Sequence, residues 1–127
     1  VTEVDETAAE AFFQMAFYSA TCGNPLYLSE ALTRRACELD SGNAEYKLGQ
    51  AYFMLRLSRE SEAYELVNAF SVQDIQSVNR RECLEQIEPV FVGRGRMKLA
   101  ESCRARIGQL DSDAGHSENK IDCKVRR

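Results

Sequence analysis

Between Asn43 and Leu57, the apolar residues Leu48, Ala51, Tyr52 and Leu55 recur at spacings of three and four. That period places them on one stripe of a helix. Tyr46 and Phe53 fall off the stripe, so this helix is expected to pack on two sides. Gly49 lies about one turn from Tyr46, Tyr52 and Phe53. A glycine inside a helix weakens it by roughly 1 kcal/mol relative to alanine. Its place here predicts a neighbour too close to admit a side chain.

The same period predicts helices on both sides of this one. Thr7-Ala-Ala-Glu10 reads as a capping box opening a helix that is apolar almost all round from Ala8 to Tyr18 and ends near Cys22. Gly23 then supplies the left-handed residue of its C-terminus. Asn24-Pro25 starts a second helix, with Leu28, Ala31, Leu32, Ala36 and Leu39 as its expected buried face and Arg34 and Arg35 at the edge. Ser41-Gly42 closes that helix and Asn43 caps the third. Ser58 is the expected cap of a fourth, with the face Ala63, Leu66, Val67 and Phe70. Ser71-Val-Gln-Asp74 opens a fifth, carrying Val72, Ile75, Val78, Leu84 and Ile87, which Pro89 should end. Val90 to Gly95 reads as a loop. A sixth helix presents Ala100, Cys103, Ile107 and Leu110, and from Asp111 onward the chain reads as a flexible polar tail.

This pattern makes the fold class all-α, and 127 residues suggest one domain. Residues 1–110 form the expected helical domain and residues 111–127 the tail. No apolar run approaches the roughly 18 residues that span a bilayer, so no membrane span is expected. Charge is uneven. Residues 1–70 hold eleven acids and five bases, whereas residues 71–127 hold nine acids and eleven bases. The acidic half argues against nucleic acid as a partner of the whole domain. The five cysteines (Cys22, Cys37, Cys83, Cys103 and Cys123) include no Cys-x-x-Cys pair. Reduced thiols in a cytoplasmic protein are the expected state, with a disulfide framework as the alternative.

The first four helices repeat as two pairs. Met15-Ala16 corresponds to Leu48-Gly49 at a period of 33, and Glu30-Ala31 to Glu62-Ala63 at 32. Leu48-Gly49, Ala51-Tyr52, Glu62-Ala63, and Ala36-Cys-Glu-Leu-Asp40 followed by Asn43 resemble the motif of the tetratricopeptide repeat. The resemblance implies antiparallel helical hairpins stacked as a short right-handed solenoid. Repeat one then covers about 8–41, repeat two about 43–70, and residues 71–110 cap the stack. It also implies a concave groove lined by Phe13 and Phe17 of the first repeat and by Tyr46, Gln50 and Phe53 of the second. Phe13 and Phe17 stand where relatives that grip a C-terminal carboxylate carry lysine and asparagine, so an apolar partner segment is expected instead.

Residues with reactive chemistry are few. The single histidine, His116, falls in the tail, and pairing it with a nucleophilic cysteine would need that tail to fold onto Cys22 or Cys37. Ligands at zinc-binding spacing are missing, so no metal and no cofactor are expected. Gly93-Arg94-Gly95 lacks the strand and the lysine of a phosphate loop. Arg94, Arg96, Lys98, Arg104 and Arg106 make a basic stretch, read as a solvated helix face or as contacts for an acidic partner. The sequence therefore points to a non-enzymatic protein-binding module, an adaptor or chaperone. It would hold a hydrophobic or amphipathic segment of another protein in the aromatic groove. The alternative is a structural subunit, a homodimer whose groove is filled by its own copy.

Overall fold

A computed structural model describes residues 6–113, and among them the fold is all-helical. The helices are α1 (Glu6–Thr21), α2 (Leu26–Leu39), α3 (Ala44–Arg56), α4 (Glu60–Val67), α5 (Val72–Gln76), α6 (Arg81–Gly93) and α7 (Met97–Asp113). Helix α1 packs on α2, α2 on α3, α3 on α4, and α6 on α7. Helix α3 also meets α5 and α6, which makes it the central element. No helix among the described residues is long and apolar enough to cross a membrane. Residues 111–113, expected in the tail, belong to α7; the other residues expected there, His116 among them, lie outside the described residues.

Three helix ends share one device. At Gly23 (φ +87°), the Gly23 N–H donates to the Ala20 carbonyl at 3.1 Å and the Asn24 N–H to the Ser19 carbonyl at 3.1 Å. These are the two bonds of a Schellman cap, in which a left-handed residue reverses the chain. Ser58 (φ 65°) repeats it with Ser58 N–H to Leu55 at 3.0 Å and Arg59 N–H to Met54 at 2.8 Å. Gly95 (φ 76°) repeats it again, with Arg96 N–H to Phe91 at 2.8 Å. Ser58 is thus the end of α3 rather than the cap of α4, whose N-cap position is Arg59.

Other starts follow local chemistry. Asn43 caps α3, its side chain accepting from the Tyr46 N–H at 3.1 Å. Ser71 and Asp74 form the expected capping box of α5. Thr7 does not cap α1, which already includes Glu6. Asn24 does not cap α2 either; Pro25 takes the cap position without a side-chain bond.

The stretch expected as one fifth helix is two. Residues 77–80 break it, and their polar groups are held from α7: the Arg106 guanidinium donates to the Val78 carbonyl at 2.9 Å and to Asn79 Oδ1 at 2.8 Å. Pro89, in turn, does not stop α6. An interior proline costs a helix about 3 kcal/mol. The residues after it, Val90 and Phe91, are buried at 7% and 0% exposure. Each such side chain gains about 1.5–3 kcal/mol on burial, so packing carries the helix past the proline and the expected loop at Val90 is helical.

Helices α1 and α3 run in the same direction, since Glu10 pairs with Tyr46, Phe13 with Gly49 and Phe17 with Phe53. At Gly49 the approach is closest. A Cβ there would lie 2.5 Å from Phe13 Cε1 and 3.3 Å from Cζ. The predicted close contact is real, and its partner is α1, two helices away, rather than the neighbouring α4. Helices α6 and α7 run oppositely, as shown by Arg104 with Glu88 and by Arg81 with Asp111 at 3.0 Å.

Two stability predictions follow from these caps and contacts. Gly49→Ala should destabilise the fold by about 1–3 kcal/mol, despite alanine's better helix propensity, because the Phe13 ring has no free direction in which to move; thermal unfolding measures it. Ser58→Gly should raise stability by about 0.5–1 kcal/mol, because a left-handed conformation strains serine but not glycine. The same melts measure this change, and a lowered midpoint would mean that the Ser58 side chain carries a contact of greater worth.

Candidate functional site

The residues expected to line an open groove form a closed aromatic cluster. Phe13, Phe17, Tyr46 and Phe53 are exposed by 5% or less, and Gln50 by 6%. Ring centroids lie 5.1 Å apart for Phe13 and Phe17, 4.8 Å for Phe13 and Tyr46, and 4.9 Å for Phe17 and Phe53. Tyr52 joins at 5.0 Å from Phe53. Such edge-on and tilted pairs suit the ring quadrupoles. The Arg80 guanidinium, at the start of α6, sits 3.8 Å from the Phe17 centroid and 5.5 Å from that of Phe13, and donates to Gln14 Oε1 at 3.1 Å. A cation over aromatic faces is attracted by their negative charge. The groove of the sequence reading is therefore corrected: its floor is core, and the chain's own Arg80 closes it.

Gln50 is occupied in the same way. It donates to Glu30 Oε2 at 3.0 Å. Glu30 is only 4% exposed and also meets Arg34 at 2.8 Å and Arg59 at 3.9 Å. Tyr46 donates to Glu10 Oε1 at 2.9 Å, and burial above all pushes its phenol pKa up.

The basic stretch is also largely committed within the chain. Arg94 lies 4.5 Å from the Tyr64 centroid and 3.6 Å from Glu60. Arg96 donates to Tyr64 Oη at 3.0 Å and to the Asn68 carbonyl at 2.9 Å. Arg104 pairs with Glu88, and Arg106 holds the break before α6. Lys98 is exposed, on the wall of a hollow shared with Val72 and Met97. Of the five, Arg96 and Lys98 line one hollow.

A different surface stands out on the α1–α2 hairpin. The expected apolar face of α2 was Leu28, Ala31, Leu32, Ala36 and Leu39. Instead Ser29, Glu30 and Thr33 are buried along with Ala36. Leu28 is 43% exposed, Ala31 is exposed and Leu32 is half-buried. At 100° per residue, the buried row lies roughly a third of a turn from the leucine row. The inward polar groups are all matched: Ser29 Oγ donates to the Ala16 carbonyl at 2.7 Å, Thr33 Oγ1 to the Glu30 carbonyl at 2.8 Å, and Glu30 accepts from Gln50. Small side chains and those bonds let α2 sit close against α1, so polar residues face in and leucines face out.

The outward row meets a matching row of α1. Met15 (47% exposed), Tyr18 (40%) and Ser19 of α1 join Asn24, Leu28, Ala31 and Leu32 around a groove of about 460 Å³. Tyr27, 63% exposed, is the most exposed large apolar side chain of the hairpin among the described residues. At the far end Arg35 stacks over Phe12 at 6.0 Å. Sequence reasoning missed this site because it assigned the leucines of α2 to the core. The signal was present in Ser29, Glu30 and Thr33, which share a helical face of their own.

Cys22, in the turn between α1 and α2, is half-buried. It is disulfide-bonded, whereas Cys37, Cys83 and Cys103 are free thiols. The expectation of five reduced cysteines is corrected at Cys22. Burial pushes the Cys37 thiol up to about 11 and the Cys103 thiol up to about 12, and raises that of Cys83 as well. These three remain protonated at neutral pH and are poor nucleophiles. No group of His, Cys, Asp and Glu among the described residues is arranged to hold a metal ion. No protein-family model, curated protein or solved structure matches this chain.

Proposed function

We propose that the protein is a non-enzymatic interaction module, adaptor or chaperone-like, that holds a hydrophobic or amphipathic segment on the outer face of the α1–α2 hairpin. One observation carries this reading: α2 turns its leucines outward and its polar row inward, and Met15 and Tyr18 of α1 extend the same face. Contiguous apolar patches on soluble domains mark interaction sites. Two parallel helices, α1 and α3, each followed by a partner helix, support a tetratricopeptide-like stack. In this reading the five inner residues Phe13, Phe17, Tyr46, Gln50 and Phe53 build the scaffold, and the binding surface lies on the opposite side of α1.

The magnitudes suit a reversible contact. Burying a large apolar side chain fully is worth about 1.5–3 kcal/mol. Met15, Tyr18 and Leu28 have close to half of that left to gain, so together they contribute a few kcal/mol of the roughly 8 kcal/mol of micromolar binding. Tyr27, 63% exposed on the same hairpin, offers further apolar area.

Tyr18→Ser with Leu28→Ser should leave circular dichroism and the melting midpoint nearly unchanged and abolish capture of the segment. Phe17→Ser with Phe53→Ser should instead unfold the domain, since both rings are core. Capture from a lysate of the source organism, read beside sedimentation of the purified chain, decides. Retained capture by the Tyr18/Leu28 variant would reject the site. A dimer that the same variant turns into a monomer would establish the homodimer reading.

A further inference from the structure

The outer face of the α1–α2 hairpin carries a hollow and a knob side by side. The hollow, about 460 Å³, lies between Met15 and Tyr18 of α1 and Leu28, Ala31 and Leu32 of α2. Tyr27, 63% exposed, stands outside it. Tyr27 and Ala31 are four residues apart, so they share one side of α2 and the tyrosine sits one turn from the wall of the hollow. We infer that the occupant of this face is a second copy of the chain, docked two-fold so that Tyr27 of each copy enters the hollow of the other. This rests on the reading of that face as the binding surface and names the held segment, which is the first turn of α2 in the other copy.

The chemistry of knob and hollow agrees. An apolar cavity of roughly 150 Å³ already holds a benzene ring, so this hollow has room for a tyrosine side chain. Its wall is apolar except for Ser19 and Asn24. A tyrosine has the same make-up, an apolar body with one polar tip that takes a hydrogen bond when buried. The Ser19 hydroxyl and the Asn24 side-chain amide offer that bond. Met15 adds a thioether, which packs favourably on aromatic rings.

Symmetry favours a copy over an unrelated partner. A two-fold contact needs a self-complementary face, because residue i of one copy meets residue j of the other and j meets i. Knob and hollow on one hairpin meet that condition. Charge permits the contact as well. The chain is acidic, with a net charge of −4, and a charged face would set like charges against each other across the axis. Here Tyr27 and every residue of the hollow are uncharged. The charged residues of α2 pair among themselves, Arg34 with Glu30 at 2.8 Å and Arg35 with Glu38 at 3.0 Å. Tyrosine and methionine are enriched at interfaces and acidic residues and lysine depleted.

The area also suits a dimer. At about 150–250 Å² for a large side chain, the exposed fractions of Met15, Tyr18, Tyr27 and Leu28 leave roughly 400 Å² of apolar surface on each copy. A standard interface takes about 800 Å² from each partner, a little over half of it apolar. Ala31 and Leu32 add apolar area, and Ser19 and Asn24 add polar area.

The test uses the full chain in sedimentation equilibrium at micromolar concentration. The wild type should show twice the 14.3 kDa mass of one copy. Tyr27→Ala removes both knobs and should weaken association roughly a hundredfold or more, with the circular dichroism spectrum unchanged because the ring is exposed. Ala31→Trp fills the hollow and should do the same. An equal mixture of the two variants should then associate at least about tenfold more tightly than either alone, because Tyr27 of the Ala31→Trp chain enters the open hollow of the Tyr27→Ala chain. A monomeric wild type, a dimer that Tyr27→Ala leaves intact, or a mixture no tighter than its parts overturns the inference. If the wild type is a monomer while the Tyr18/Leu28 variant still loses its captured segment, this inference falls and the proposed function stands.

Discussion

The contact between the Phe13 ring and Gly49 sets the geometry of the first four helices. Because position 49 has no side chain, α3 comes within ring contact of α1, and the Phe13 ring fills the space that a Cβ would take. That approach brings Tyr46 and Phe53 into contact with the rings of α1, and the resulting cluster forms the core's aromatic centre. It also determines what can cover the cluster. The Phe13 and Phe17 rings on α1 suit a planar cation, and Arg80 supplies it from the start of α6.

The second helix shows how polar residues can direct packing. Ser29 and Thr33 have short side chains that bond to backbone carbonyls, so they bury at little cost, and the Ser29 bond to Ala16 ties α2 to α1. Glu30 is the demanding member. A buried carboxylate is tolerated only when it is paired and hydrogen-bonded, and here Gln50, Arg34 and Arg59 supply both conditions. The leucines cannot occupy that side as well. Their exposure is a consequence of which residues α2 sends inward.

Much of this was legible in the sequence. The helical class, the left-handed cap at Gly23, the Asn43 cap, the Ser71–Asp74 box and the tight approach at Gly49 all follow from local rules. These rules act within one turn, so a sequence displays them directly. What was not legible depends on partners distant in the chain. Periodicity alone ranked Leu28 above Ser29 for burial, because it cannot see the Ala16 carbonyl that accepts from Ser29. It stopped α6 at Pro89 because it cannot weigh the buried Phe91 against a lost hydrogen bond. The repeat resemblance put Phe13 and Phe17 in an open groove because Arg80, more than sixty residues later, gives no signal of its destination.

Arg80 also divides the molecule. The α6–α7 pair is joined to the earlier helices through α3, α5, this guanidinium on α1, and Arg94 and Arg96 on α4. Its own internal pairing, from Arg81 with Asp111 to Arg104 with Glu88, runs the length of both helices and does not involve the first four. Such a pair can detach as a cooperative unit at a free energy below that of global unfolding. Amide protons of α6 and α7 then exchange with solvent together, as one class, ahead of those in the middle of α3. The buried rings Phe13 and Phe53 become visible to water during those openings.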